Sequence, residues 1–135
     1  MTNCCIAVKH GDPFKAVLVE HDGHPNLAGK ILHRHYLSPH ANQLVALGDV
    51  KVLKRKFKPA DTEHHSVTRP AKDVTIFKGR DLNHAGTGYT VHHTFEELTE
   101  FFDCCKYIYV MERDQWKIST NNSKLVPLES VLYKD

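Results

Sequence analysis

The sequence predicts an α+β fold in a single domain spanning 1–135: a mostly antiparallel or mixed sheet built from N- and C-terminal hairpins, with about three helices packed on it. Three observations carry that prediction. Apolar runs flank turn-forming residues near both ends of the chain, and helical periodicity with recognisable caps fills much of the middle. The composition, 41% hydrophobic and 25% charged over 135 residues, is that of a chain able to bury one core.

Cys4–Val8, His10-Gly11-Asp12-Pro13 and Phe14–His21 read as strand, turn and strand. Both alternating faces of Phe14-Lys15-Ala16-Val17-Leu18-Val19 are mostly apolar, which suits an inner strand covered on both sides. After Asp22-Gly23-His24-Pro25, the residues Leu27, Ala28, Ile31, Leu32 and Tyr36 recur at helical spacing, with Asn26 expected as N-cap. A second helix has Ser38 as N-cap, Pro39 at its first position, Leu44, Val45 and Leu47 on its apolar side, and Gly48 as its stop. From Lys54 to Asp73 two prolines and no sustained periodicity predict a long irregular loop.

Val74–Lys78 reads as a short strand, followed by a second irregular stretch through Gly88. Thr94-Phe95-Glu96-Glu97 fits a capping box, in which Thr94 caps and Glu97 reaches back, ahead of an apolar stripe of Phe95, Leu98, Phe101 and Phe102. Tyr107–Glu112 and Trp116–Ser119, joined through Arg113-Asp114-Gln115, predict the closing hairpin, and Pro127–Leu132 a turn of helix.

Charge and cysteine usage narrow the function classes. A net charge of +2 with histidines neutral argues against an acidic DNA mimic and against a strongly basic duplex binder. Eleven histidines mean that the charge climbs on mild acidification. No apolar run reaches the ~18 residues of a spanning helix, and Met1-Thr2-Asn3-Cys4-Cys5 lacks a basic segment followed by an apolar one. The expectation is a cytoplasmic protein with no membrane partner. The cysteines form the adjacent pairs Cys4-Cys5 and Cys104-Cys105 rather than a C-x-x-C spacing, so buried thiols are expected, with one of each pair in the core.

Candidate chemistry is sparse. His21-Asp22-x-His24 with His33 and His35 has the residue types of a zinc site but not its spacing, and Asp22-Gly23 before Pro25 is already explained as turn chemistry, so no metal and no cofactor are expected. No Gly-x-Ser-x-Gly elbow is present, and the cysteines lie in apolar contexts, so no catalytic residue is assigned. Gly79-Arg80 and Gly86-Thr87-Gly88 resemble pieces of phosphate-cradling loops without the Walker ending. The run Lys54-Arg55-Lys56-Phe57-Lys58 sets four cations around one aromatic ring, a composition that can track phosphates and stack a base, or dock a protein.

At Asp22-Gly23-His24-Pro25, Gly29-Lys30-Ile31-Leu32, His35-Tyr36 and Leu44-Val45-Ala46-Leu47-Gly48-Asp49 the chain resembles a family of small uncharacterised bacteriophage proteins. Members share a hairpin ending in a His-Trp-Asp-Gly-Tyr-Pro-like turn, a Gly-Lys-x-Leu helix and an Ala-Leu-Gly-Asp helix end. Gly79-Arg80-Asp81, the Glu97–Phe102 helix and the Trp116 hairpin fall where that family has similar pieces. Glu20, His21 and His24 stand in place of the usual His, Trp and Tyr, whereas Asp22, Gly23, Pro25 and Lys30 carry over. The resemblance implies a phage origin, and with it the cytoplasm of a host cell, rather than a mechanism.

The leading expectation is therefore a non-enzymatic phage accessory protein that binds a host macromolecule, most readily a protein, and inhibits or redirects it, as a counter-defence component would. Its acting surface would be the 54–73 loop, with Lys54, Arg55, Lys56, Phe57 and Lys58, together with Arg80 and Asp81. The alternative is a binding module for a small anionic, nucleotide-like ligand held by Lys30, Arg34 and Arg80, with Asp22 as a further carried-over residue. A metal-assisted hydrolase ranks third and nucleic acid ranks below protein as a partner. A homodimer, the commonest assembly of soluble oligomers, stays open beside a monomer.

Overall fold

In the computed structural model, which describes residues 2–9, 11, 13–60, 63–66 and 68–132, the chain builds one eight-stranded mixed sheet with helices on both faces. Met1, His10 and Asp12 of the opening segment, and Asp61, Thr62 and Val67 of the long loop, lie outside the described residues. The strands are β1 (Cys4–Lys9), β2 (Phe14–His21), β3 (Val50–Val52), β4 (Ile76–Phe77), β5 (Thr90–His92), β6 (Tyr107–Glu112), β7 (Gln115–Thr120) and β8 (Val126–Pro127). The helices are α1 (Lys30–His35), entered through a π-helical turn at Pro25–Gly29, then α2 (Ser38–Ala46), α3 (Phe95–Phe101) and α4 (Leu128–Leu132).

The two predicted hairpins form the centre of the sheet. β1 pairs antiparallel with β2 and parallel with β6, which pairs antiparallel with β7, so the order runs β4-β3-β2-β1-β6-β7-β8. Because β1 is covered on both faces, its alternation sends Cys4, Ile6 and Val8 into one core and Cys5 and Ala7 into another. Both cysteines of the first pair are thus buried, where one was expected; in the second pair Cys105 is buried and Cys104 exposed. The larger core lies under α1, α2 and α4, and the smaller under α3 through Leu98 and Phe102. Phe101, assigned to the apolar stripe by its spacing, is instead 58% exposed.

Local signals placed most elements to within a residue or two. Thr94 Oγ1 accepts from Glu97 N at 3.1 Å, while Glu97 Oε2 accepts from His93 N, one residue before the cap. Gly48 stops α2 at φ +92°, its N–H donating to Val45 O at 3.0 Å. The first helix starts differently from expectation: His24, not Asn26, is the N-cap, its Nδ1 accepting from Asn26 N. α2 begins at Ser38, with Leu37 in the cap position and its carbonyl accepting from Ala41 N.

One edge of the sheet is divided. The start of β2, Phe14–Ala16, pairs antiparallel with β5, and its end, Val19–His21, pairs parallel with β3. Between the two, Leu18 N–H meets a side chain instead of a strand: it donates to Asp49 Oδ1 at 2.9 Å.

Candidate functional site

The basic run of residues 54–58 leaves β3 with little regular pairing, and its backbone is fixed from several directions. Lys54 N donates to Thr75 Oγ1 at 2.9 Å, and Lys54 O accepts from Tyr36 Oη at 2.8 Å and from Thr75 Oγ1 at 3.2 Å. Lys56 forms an isolated parallel bridge with Val74, donating to Asp73 O at 2.9 Å and accepting from Thr75 N at 2.8 Å. Tyr36 and Thr75 are both fully buried, and burial pushes the Tyr36 phenol up to about 12, so it stays a hydrogen-bond donor at any physiological pH.

Arg80 and Asp81 complete the brace. Arg80 Nη1 donates to Phe57 O and Nη2 to Thr75 O at 3.0 Å, while its guanidinium lies 4.7 Å from the centroid of the Phe77 ring. Asp81 holds Arg80 through both carboxylate oxygens at 2.9 and 3.0 Å and accepts from Phe77 N at 2.8 Å. Burial pushes the Asp81 carboxyl up, but the Arg80 and Phe77 hydrogen bonds and the guanidinium charge outweigh it and hold the group below its usual range. The far side of the loop is fastened here too. The His65 side chain is only 4% exposed; its Nδ1 accepts from Ala71 N at 3.0 Å and its Nε2 lies 3.4 Å from Asp81 Oδ2.

The side chains borne by this braced backbone point outward and meet the first helices. His35, Tyr36, His40, Arg55, Lys56, Phe57 and Lys58 line a hollow of about 240 Å³. A second hollow of about 220 Å³ adjoins it through His35 and Arg55 and adds Lys30, Ile31 and Arg34. No carboxylate lines either hollow. Arg55 makes one long pair with Asp73 at 3.8 Å, and among the described residues Lys30, Arg34, Lys56 and Lys58 have no carboxylate within ion-pair reach. Phe57 is half-buried against the larger core, with the His40 ring 5.8 Å away and Lys58 Nζ 5.9 Å from its own ring centroid.

The structure thus brings Lys30 and Arg34 together with Arg55, Lys56, Phe57 and Lys58, two groups far apart in sequence. Lys54 contributes backbone bonds and lines neither hollow. Arg80, an exposed residue, and Asp81 brace the strip through their hydrogen bonds and line neither hollow. Asp22, at φ +60°, belongs to the turn after β2 and lines neither hollow. The residues that sequence reasoning missed are His35, Tyr36 and His40. Their register on α1 and α2 shows which side of each helix they occupy but not which loop covers it.

The other motifs are dispersed. Gly86 and Gly88 line a different hollow with Asp49, and Thr87 O accepts from Asp49 N at 2.7 Å, so the glycine-rich loop does not cradle the Lys30–Arg34 cations. His21 Nε2 sits 3.4 Å from Glu20 Oε1, whereas His24 packs edge-on against Tyr107 at 5.5 Å. Among the described residues no three His, Cys, Asp or Glu side chains converge as a metal-binding group. Also among them, no helix is long and apolar enough to cross a membrane. No family model, curated protein or solved structure matches this chain.

Proposed function

We propose that this protein is a non-enzymatic binding protein that engages an acidic surface of a host macromolecule, most readily a protein, through the basic double hollow, and thereby inhibits or redirects it. The observation that carries this reading is the convergence of Lys30, Arg34, Arg55, Lys56 and Lys58 around Phe57 on a backbone braced by Tyr36, Thr75, Arg80 and Asp81. A rigid strip loses little conformational entropy on binding, and clustered cations, of which Lys30, Arg34, Lys56 and Lys58 have no carboxylate partner among the described residues, raise the rate and specificity of encounter with an acidic surface. The two hollows adjoin and lie open along the strip, which suits an extended partner that spans both. The phage resemblance supports a partner in the host cell and a counter-defence role.

A reading as a nucleotide-like ligand site is second, favoured by the half-buried Phe57 ring lying among cations, where a base could stack beside its phosphates. Two experiments separate the readings. On low-salt capture from bacterial lysate, the wild-type protein is expected to retain a stoichiometric partner that the Arg55→Glu/Lys56→Glu/Lys58→Glu variant releases; equal retention by both would contradict the proposal. In thermal unfolding with a nucleotide panel, a ligand at 100 times its Kd adds ~2.7 kcal/mol, and a shift of that size would promote the second reading.

A further inference from the structure

The divided edge of the sheet leaves a hollow of about 210 Å³ where β2 passes from β5 to β3. Its walls are the exposed Phe101, the buried Phe102, the partly buried Leu18 and the open backbone of Gly86 and Gly88, with Asp49, Thr90 and Cys104 as its polar members. Phe101 and Phe102 meet edge to face at 4.9 Å, so an aromatic surface stands beside a carboxylate.

Asp49 Oδ1 accepts from Leu18 N–H, and the half-buried Asp49 lines the hollow. Lys78, the cation that acts on Asp49, is held 2.7 Å from Glu20 Oε2 instead. Burial pushes the Asp49 carboxyl up against the opposing effects of the Leu18 bond and Lys78, so its ionised form is under-compensated. A cation entering the hollow would supply the missing charge, and an apolar stem on that cation would pack on Phe101 and Leu18.

We propose that this hollow is a binding site for a small organic ammonium carrying an aromatic or aliphatic stem, with its charge on Asp49 and its stem against Phe101 and Leu18. It is separate from the basic double hollow, with which it shares no lining residue, and selects the opposite charge.

Cys104 supplies the readout, because it is exposed at this hollow while Cys4, Cys5 and Cys105 are buried. The probe is benzylammonium, with benzyl alcohol as its neutral counterpart. Benzylammonium is expected to slow iodoacetamide alkylation of Cys104 saturably, with half-protection needing about tenfold more ligand (~1.4 kcal/mol) in Asp49→Asn, whose amide oxygen still accepts from Leu18. Phe101→Ala, at an exposed position, should weaken protection without impairing folding. Equal protection by benzyl alcohol, or undiminished protection in both variants, would overturn the proposal, as would no protection of the wild-type thiol at millimolar benzylammonium.

Discussion

Asp49 and Asp81 show how two carboxylates in one chain come to oppose each other in their effect on stability. Asp81 sits below its usual range because Arg80 and Phe77 N–H satisfy it; Asp49 sits above its range because burial is only partly offset by Leu18 N–H and Lys78. For Asp81 the folded state prefers the ionised form. Its contribution is therefore fully present above the ordinary carboxylate range of ~4 and is lost as pH falls through its lowered folded value. For Asp49 the sign reverses: its contribution is present below the ordinary value and is lost as pH rises through the raised one. We predict that Asp81→Asn costs ~2–3 kcal/mol at neutral pH, the scale of charge-assisted hydrogen bonds. The gap to wild type should narrow below about pH 4. Urea unfolding of both proteins across pH would measure this, and a gap unchanged down to pH 2 would contradict the assignment.

At the scale of elements, the β6–β7 hairpin turns on Arg113 and Asp114, at φ +53° and +61°, in a two-residue connection that favours Asn-Gly. Arg113→Asn/Asp114→Gly should stabilise the protein by ~1 kcal/mol, read as a rise in the urea midpoint at constant slope. Gly48 has the opposite sensitivity. Its φ of +92° is strained for any L side chain, and a Cβ there would drive into the Thr87 carbonyl oxygen. Gly48→Ala should therefore cost ~2 kcal/mol or more, seen as a lowered thermal midpoint; a neutral result would show that the 86–88 loop readily moves away.

The elements that were legible beforehand are those with their own punctuation: both hairpins, the Thr94 cap and the Gly48 stop. Elements that exist through their neighbours were not legible. β3, β5 and β8 are two or three residues long, and each is defined by pairing to an edge that local sequence cannot reveal. The same holds for the candidate site. Its 54–58 strip was visible as a charge run, and Lys30 and Arg34 as separate cations, but their juxtaposition depends on Tyr36 and Thr75 clamping Lys54 across the fold. Arg80 and Asp81 stood out by type and by resemblance; only their hydrogen bonds show that they brace the strip.

Across the whole molecule, the central sheet carries two hollows of opposite character that we propose as recognition surfaces, a basic one beside α1 and α2 and an apolar, acid-bearing one beside α3. The central claim is that α1 and the 54–58 strip act as one surface toward a host macromolecule. Lysine acetylation, read by mass spectrometry with and without the captured partner, tests it most directly. We predict that Lys30, Lys56 and Lys58 are protected together in the complex while the exposed Lys106, just before β6, and Lys124, between β7 and β8, stay reactive. Protection of Lys106 and Lys124 with Lys30, Lys56 and Lys58 left reactive would place the partner elsewhere and contradict the account.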